Sequence, residues 1–162
     1  MYVQNEKLFE EAMKLREELW RPMAEGLVKA GDHESEYVKK AIKKYRPELE
    51  EWEVKSLAWD CETWMRVPST NCPEEVKRLV EQYNELIVKC QQPGRYVVYY
   101  CTEFDGGCHG TGAHDTVEEA LASVDDAEEG AYNFEMWDRK EGTWYKIKWS
   151  EEKGGRVIIP IK

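Results

Sequence analysis

Apolar residues recur at three- and four-residue steps through the first 92 positions, and at every second position in much of the remaining chain. Leu8, Ala12, Leu15 and Leu19, with Phe9, Met13 and Trp20 beside them, predict a first amphipathic helix. Pro22 is placed to kink or interrupt it, and Gly31-Asp32 to end the region. A second helix is predicted over 34–45, with Tyr37, Val38, Ala41, Ile42 and Tyr45 on its apolar side. Arg46-Pro47 closes it, because a residue before proline disfavours helical backbone. A third is predicted over 48–65, started by Pro47 and carrying Leu49, Trp52, Leu57, Ala58, Trp59, Cys61 and Trp64 on its apolar side. After the loop Val67-Pro68-Ser69-Thr70-Asn71, a fourth begins near Pro73 with the stripe Val76, Leu79, Val80, Tyr83, Leu86, Ile87 and Cys90. Four helices with short connections predict an antiparallel bundle over 1–92.

Gln91-Gln92-Pro93-Gly94 breaks this pattern. Residues 95–104 (RYVVYYCTEF) are β-branched and aromatic, as strands prefer. A glycine-rich loop is expected over 105–115, then a short helix over 116–124 opened by Thr116-Val117-Glu118-Glu119. That spacing is a capping box, in which threonine and glutamate each satisfy an orphan backbone amide. Two strands, 131–138 and 143–149, flank a turn where Gly142 supplies positive φ. A last strand, 156–161, suits an edge because Pro160 has no amide to lose from a ladder. The expected fold is α+β: the helical bundle, then a β-α-β-β-β module over 93–162 with a mostly antiparallel sheet.

Charge changes the picture of that second module. The 43 residues from Tyr96 to Asp138 hold eleven acids and no lysine or arginine. The whole chain carries −10, so the remaining 23 basic and 22 acidic residues nearly cancel. A one-sign field on one module attracts cations or basic proteins and repels nucleic acid. The acidic balance argues against direct nucleic-acid binding, which needs a basic face. Lys39, Lys40, Lys43, Lys44 and Arg46 make a basic strip, but Glu34, Glu36 and Glu48 surround it. No apolar run reaches the ~20 residues of a membrane span, and the charged N-terminus lacks the apolar stretch of a signal peptide. A cytoplasmic protein with reduced thiols is expected from five unevenly spaced cysteines.

The densest chemistry lies between Cys101 and Asp115. Cys101, Cys108, His109 and His114 are the right types for zinc, but C-x6-C-H-x4-H lacks the close pairs of structural sites. Cys108 near a helix start, with His109, His114 and Asp115, is an alternative nucleophile arrangement for a Cys/His enzyme. The acidic surroundings oppose a thiolate there. Phosphate binding is disfavoured because neither dinucleotide nor P-loop spacing is present and the loop has no lysine. Calcium-loop spacing is missing among the acids as well. The expectation is therefore no cofactor and no catalytic residue, with conformationally permissive glycines in a recognition loop.

The same module is dense in aromatics. Alternation puts Tyr145, Ile147 and Trp149 on one face, expected to be core, and Trp144, Lys146 and Lys148 on the other. Trp137 and Trp144 are candidate exposed anchors, as tryptophan dominates binding hot spots. Together with Glu103, Asp105, Asp125, Asp126, Glu128 and Glu129 they form the expected partner-binding set, facing a basic protein surface such as that of a nucleic-acid-handling protein. In layout and charge the whole chain resembles some phage-encoded anti-defence proteins, including anti-CRISPR inhibitors that join a helical bundle to a small α/β module. No motif carries that resemblance. It implies a non-catalytic inhibitor occupying a basic cleft, for instance that of a CRISPR nuclease. The alternatives are a zinc-binding or Cys/His enzyme module on the 101–115 segment, and a homodimer assembled through the aromatics.

Overall fold

A computed structural model describes residues 5–24, 28–29, 35–61, 64–102 and 107–161. The chain divides into two compact units, Val3–Gln92 and a second formed mainly by Pro93–Lys162.

Among the described residues the first unit holds four helices: α1 (Glu6–Ala24), α2 (Ser35–Tyr45), α3 (Glu51–Cys61) and α4 (Glu74–Cys90). Their apolar stripes meet in one core containing Ala12, Leu19, Val38, Ile42, Leu57, Val80, Tyr83 and Ile87. Two short strands, β1 (Val28–Lys29) and β2 (Val67–Pro68), pair antiparallel. The sequence pattern predicts neither, since two residues are too few to show a period. The helix α1 runs on through Pro22. Gly31-Asp32, the expected end of that region, lies outside the described residues.

The helix α3 starts later than expected and is shorter. Before it, the Leu49 amide closes a turn onto the Arg46 carbonyl at 3.3 Å, and the Glu50 amide donates to the Glu53 carboxylate at 2.7 Å. Its buried apolar positions are Val54, Leu57, Ala58 and Cys61, an i, i+3, i+4, i+7 stripe, with Ser56 buried beside them. Trp59 falls off that stripe and is 75% exposed, so it is not part of the core.

Among the described residues the second unit is a five-stranded antiparallel sheet in the order β4-β3-β5-β6-β7, with one short α-helix. Its elements are β3 (Tyr96–Thr102), β4 (Cys108–His114), α5 (Val117–Ala122), a 3-10 turn (Ser123–Asp126), β5 (Ala131–Asp138), β6 (Thr143–Ser150) and β7 (Gly155–Pro160). The segment expected to be a glycine-rich loop is therefore largely a strand, and the order is β-β-α-β-β-β. Glycines hide its alternation: Gly110 and Gly112 remove two side chains, Gly112 has φ of 114°, and the register shifts by one residue opposite Val98/Tyr99. Edge strand β4 also needs its neighbour small. A Cβ on Gly94 would sit 2.7 Å from the Ala113 backbone and side chain.

The capping box on α5 forms as its spacing implies. The Glu119 amide donates to Thr116 Oγ1 at 3.1 Å, and Glu119 Oε2 accepts from the Thr116 amide at 3.2 Å. Gly142 takes φ of 65° in the β5–β6 turn, where its amide donates to the Asp138 carbonyl at 2.8 Å.

Candidate functional site

The antiparallel register sorts the side chains of the sheet onto two faces. On one face Val98, Met136 and Ile147 are buried with Ala120 and Val124 from the helical segment. The helix α5 covers this face because its own Ala120 and the following Val124 present the apolar surface that the strands need. The other face holds Val97 beside Trp137 and Trp144, and Tyr99 beside Glu135, Lys146 and Ile159.

The segment 115–129 crosses the helix side and carries seven of the eleven acids: Asp115, Glu118, Glu119, Asp125, Asp126, Glu128 and Glu129. They do not play one role. Glu119 is occupied by the capping box, and its Oε2 also accepts from the Asp115 amide at 3.1 Å. Arg156 reaches across from β7 and grips Asp125 with both terminal nitrogens. Its hydrogen bonds hold the Asp125 carboxyl below the usual range, slightly opposed by desolvation. Among the described residues no ion pair engages Glu118, Asp126, Glu128 or Glu129, and all four are exposed.

Asp138 is a structural acid inside the acidic stretch. It is 2% exposed and accepts from Arg95 Nε at 2.9 Å and Nη2 at 2.8 Å. The Lys140 and Glu141 amides donate to the same carboxylate at 3.0 and 3.1 Å. Burial pushes this carboxyl up, but the Arg95 hydrogen bonds and the two amides outweigh burial and hold it below the ordinary carboxylate range. The node ties the start of β3 to the end of β5 and to the turn after it.

On the open face the aromatic rings form a short ladder. Tyr99 lies 5.5 Å from Trp144, and Trp144 lies 5.0 Å from Trp137, all centroid to centroid and tilted. Trp144, Ile159 and Ile161 are exposed, and Glu135, Gly142, Thr143, Trp144 and Ile161 line a shallow depression. Lys146 and Lys148 project from the same face, so its charge differs in sign from the helix side. The expected binding set is thus divided. Asp125, Asp126, Glu128 and Glu129 belong to the helix-side segment, whereas Trp137 and Trp144 stand on the opposite face with Glu135. Glu103 and Asp105 lie outside the described residues. Trp149, expected in the core beside Ile147, is 66% exposed: it shares the helix-side face but sits at the far end of β6, opposite Arg156.

Sequence reasoning missed Tyr99, Ile159 and Ile161 as neighbours of Trp144, and Arg95 and Arg156 as the cations that quench two of the acids. Their alternation was visible; the register that joins them was not.

The Cys/His residues are spread along the β3–β4 hairpin. Cys101 faces Cys108, Tyr100 faces His109, and Tyr96 faces His114. His109 stacks on Tyr100 at 5.6 Å. His114 lies six residues along β4 from Cys108, about 20 Å at strand rise, so these four side chains do not meet around one point. Among the described residues no group of three or more His, Cys, Asp or Glu is placed to hold a metal. His114 instead joins a hydroxyl chain: its Nε2 is 3.4 Å from Thr111 Oγ1, which is 2.7 Å from Ser123 Oγ. Ser123 donates to the Ala120 carbonyl at 2.8 Å, so the chain pins β4 to the end of α5. Burial lowers the His114 imidazole, against the opposing pull of Glu119, Asp115 and Asp126.

No described helix is long and apolar enough to cross a membrane. Comparison with family models finds no match, and neither curated proteins nor solved structures match the chain.

Proposed function

We propose that this chain is a non-catalytic binding protein that engages a basic surface of a nucleic-acid-handling protein through the acidic side of its second unit, as an inhibitor of such a protein would. The observation that supports this reading is the grouping of Glu118, Asp126, Glu128 and Glu129. They are exposed, sit on a segment held to the sheet by Ala120, Val124 and the Arg156–Asp125 pair, and meet no described counter-ion. A fixed acidic array of this kind accelerates encounter with a basic cleft and favours that partner over nucleic acid itself. The resemblance in layout to anti-CRISPR inhibitors makes a CRISPR nuclease one instance of the partner class.

The test begins with an affinity pull-down from host lysate and identification of the captured protein, followed by association kinetics across salt. Changing Glu118, Asp126, Glu128 and Glu129 together to lysine should slow association about tenfold or more at low salt and flatten its salt dependence. Asp125 is left in place because Arg156 already engages it. Changing Lys146 and Lys148 to glutamate, on the opposite face, should leave the rate unchanged or raise it. A rate indifferent to salt and to the helix-side reversal would sink the proposal.

A further inference from the structure

Three of the five cysteines, Cys61, Cys72 and Cys90, are buried in or beside the helical unit, and burial pushes the Cys90 thiol up to about 11. The other two are different. Cys101 is half-buried and Cys108 exposed, both are free thiols, and they are register partners across the antiparallel β3–β4 pair. Directly opposed residues of such a pair point to the same face, with Cα atoms about 4.5–5.5 Å apart and Cβ atoms about 4.5–5.5 Å apart. A disulfide accepts Cα separations of about 4.4–6.8 Å and wants Cβ atoms about 3.5–4.5 Å apart. The two thiols therefore need about 1 Å of approach to bond. Among the described residues they form the terminal register pair of the β3–β4 ladder.

We propose that Cys101 and Cys108 are a reversible dithiol–disulfide site, oxidised by exchange with a low-molecular-weight disulfide of the glutathione class. The exposed Cys108 thiolate attacks one sulfur of that disulfide; a mixed disulfide forms and one small thiolate leaves. The Cys101 thiolate, opposite on β3, then attacks the Cys108 sulfur and expels the second small thiolate. The chain loses two protons and two electrons; the oxidant gains them and ends as two thiols. The product closes the short segment between the two strands into a covalent ring and staples an edge strand to the sheet. This site is independent of the acidic surface, since neither thiol belongs to the 115–129 segment.

Incubating the full chain in mixtures of oxidised and reduced glutathione, then alkylating and mapping peptides by mass, tests the assignment. The expected result is a product lighter by two hydrogen atoms, with Cys101 linked to Cys108 and Cys61, Cys72 and Cys90 still alkylated after unfolding. Reductant should reverse it. In a Cys101→Ser variant the mixed disulfide should persist on Cys108, at least tenfold longer than in the unaltered chain, because the resolving thiol is gone. Stable glutathione adducts on Cys108 of the unaltered chain, or a disulfide drawn from any other pair, would overturn the proposal.

Discussion

The two faces of the sheet in the second unit are made from the same strands yet have opposite characters. The helix side is dry where α5 lies, with Val98 and Met136 fully buried, and acidic above that cover. The open side shows Trp144, Ile159 and Ile161 with Lys146 and Lys148 and only one acid, Glu135, among the paired positions. Strand alternation alone produces this separation. A chain that looked like one acidic aromatic surface is two surfaces back to back, one suited to long-range attraction and the other to short-range packing. Stability should therefore depend on the helix side and on the node at Asp138, and far less on the open side.

The sharpest break is at the centre of the covered face. Met136→Ala should cost about 3 kcal/mol, the transfer of a buried side chain plus the cavity it leaves. Chemical denaturation would measure it. A loss below about 1 kcal/mol would mean that α5 does not seal this face.

Next comes the buried acid. Asp138→Asn keeps the shape but removes the charge that Arg95 and two backbone amides address, and should cost about 2 kcal/mol at neutral pH. Because the folded carboxyl lies below its ordinary range, its stabilisation is fully present above the unfolded value of about 4 and is lost as pH falls through the folded value. The difference between the unaltered chain and Asp138→Asn should accordingly shrink in acid. A constant difference from neutral pH to pH ~2 would contradict the assignment of that carboxylate.

The smallest effect is expected on the open face. Trp144 is 39% exposed and touches two rings, so Trp144→Ala should cost about 1 kcal/mol or less. A cost as large as that of Met136→Ala would show that the open face is a second core and not a surface.

Much of the fold was legible because its signals were local. The stripe on α4 and the capping box on α5 each need only residues three or four apart, and both formed where the spacing put them. Strand β4 was not legible, since Gly110 and Gly112 leave no alternation to read. Exposure failed where it depended on the extent of a neighbour. The face of Trp149 was correctly assigned, but α5 has only six residues, about 9 Å of helix, and cannot shelter the far end of β6. The site was legible in its residue types and not in its grouping. Arg95 and Arg156 lie outside the cation-free stretch in sequence, yet strand pairing brings one to Asp138 and the other to Asp125. Counting charges along the chain overstates the negative field wherever register supplies a cation from elsewhere.

The two borders of the sheet carry a further consequence. One border is β4, bulged at Gly110–Gly112, and the other is β7, which ends in Pro160. A bulge twists hydrogen-bonding groups out of line, and proline withholds a donor, so neither border offers a long flat template for another strand. Such blunted rims let a module display bare tryptophan without growing, copy upon copy, into a fibre.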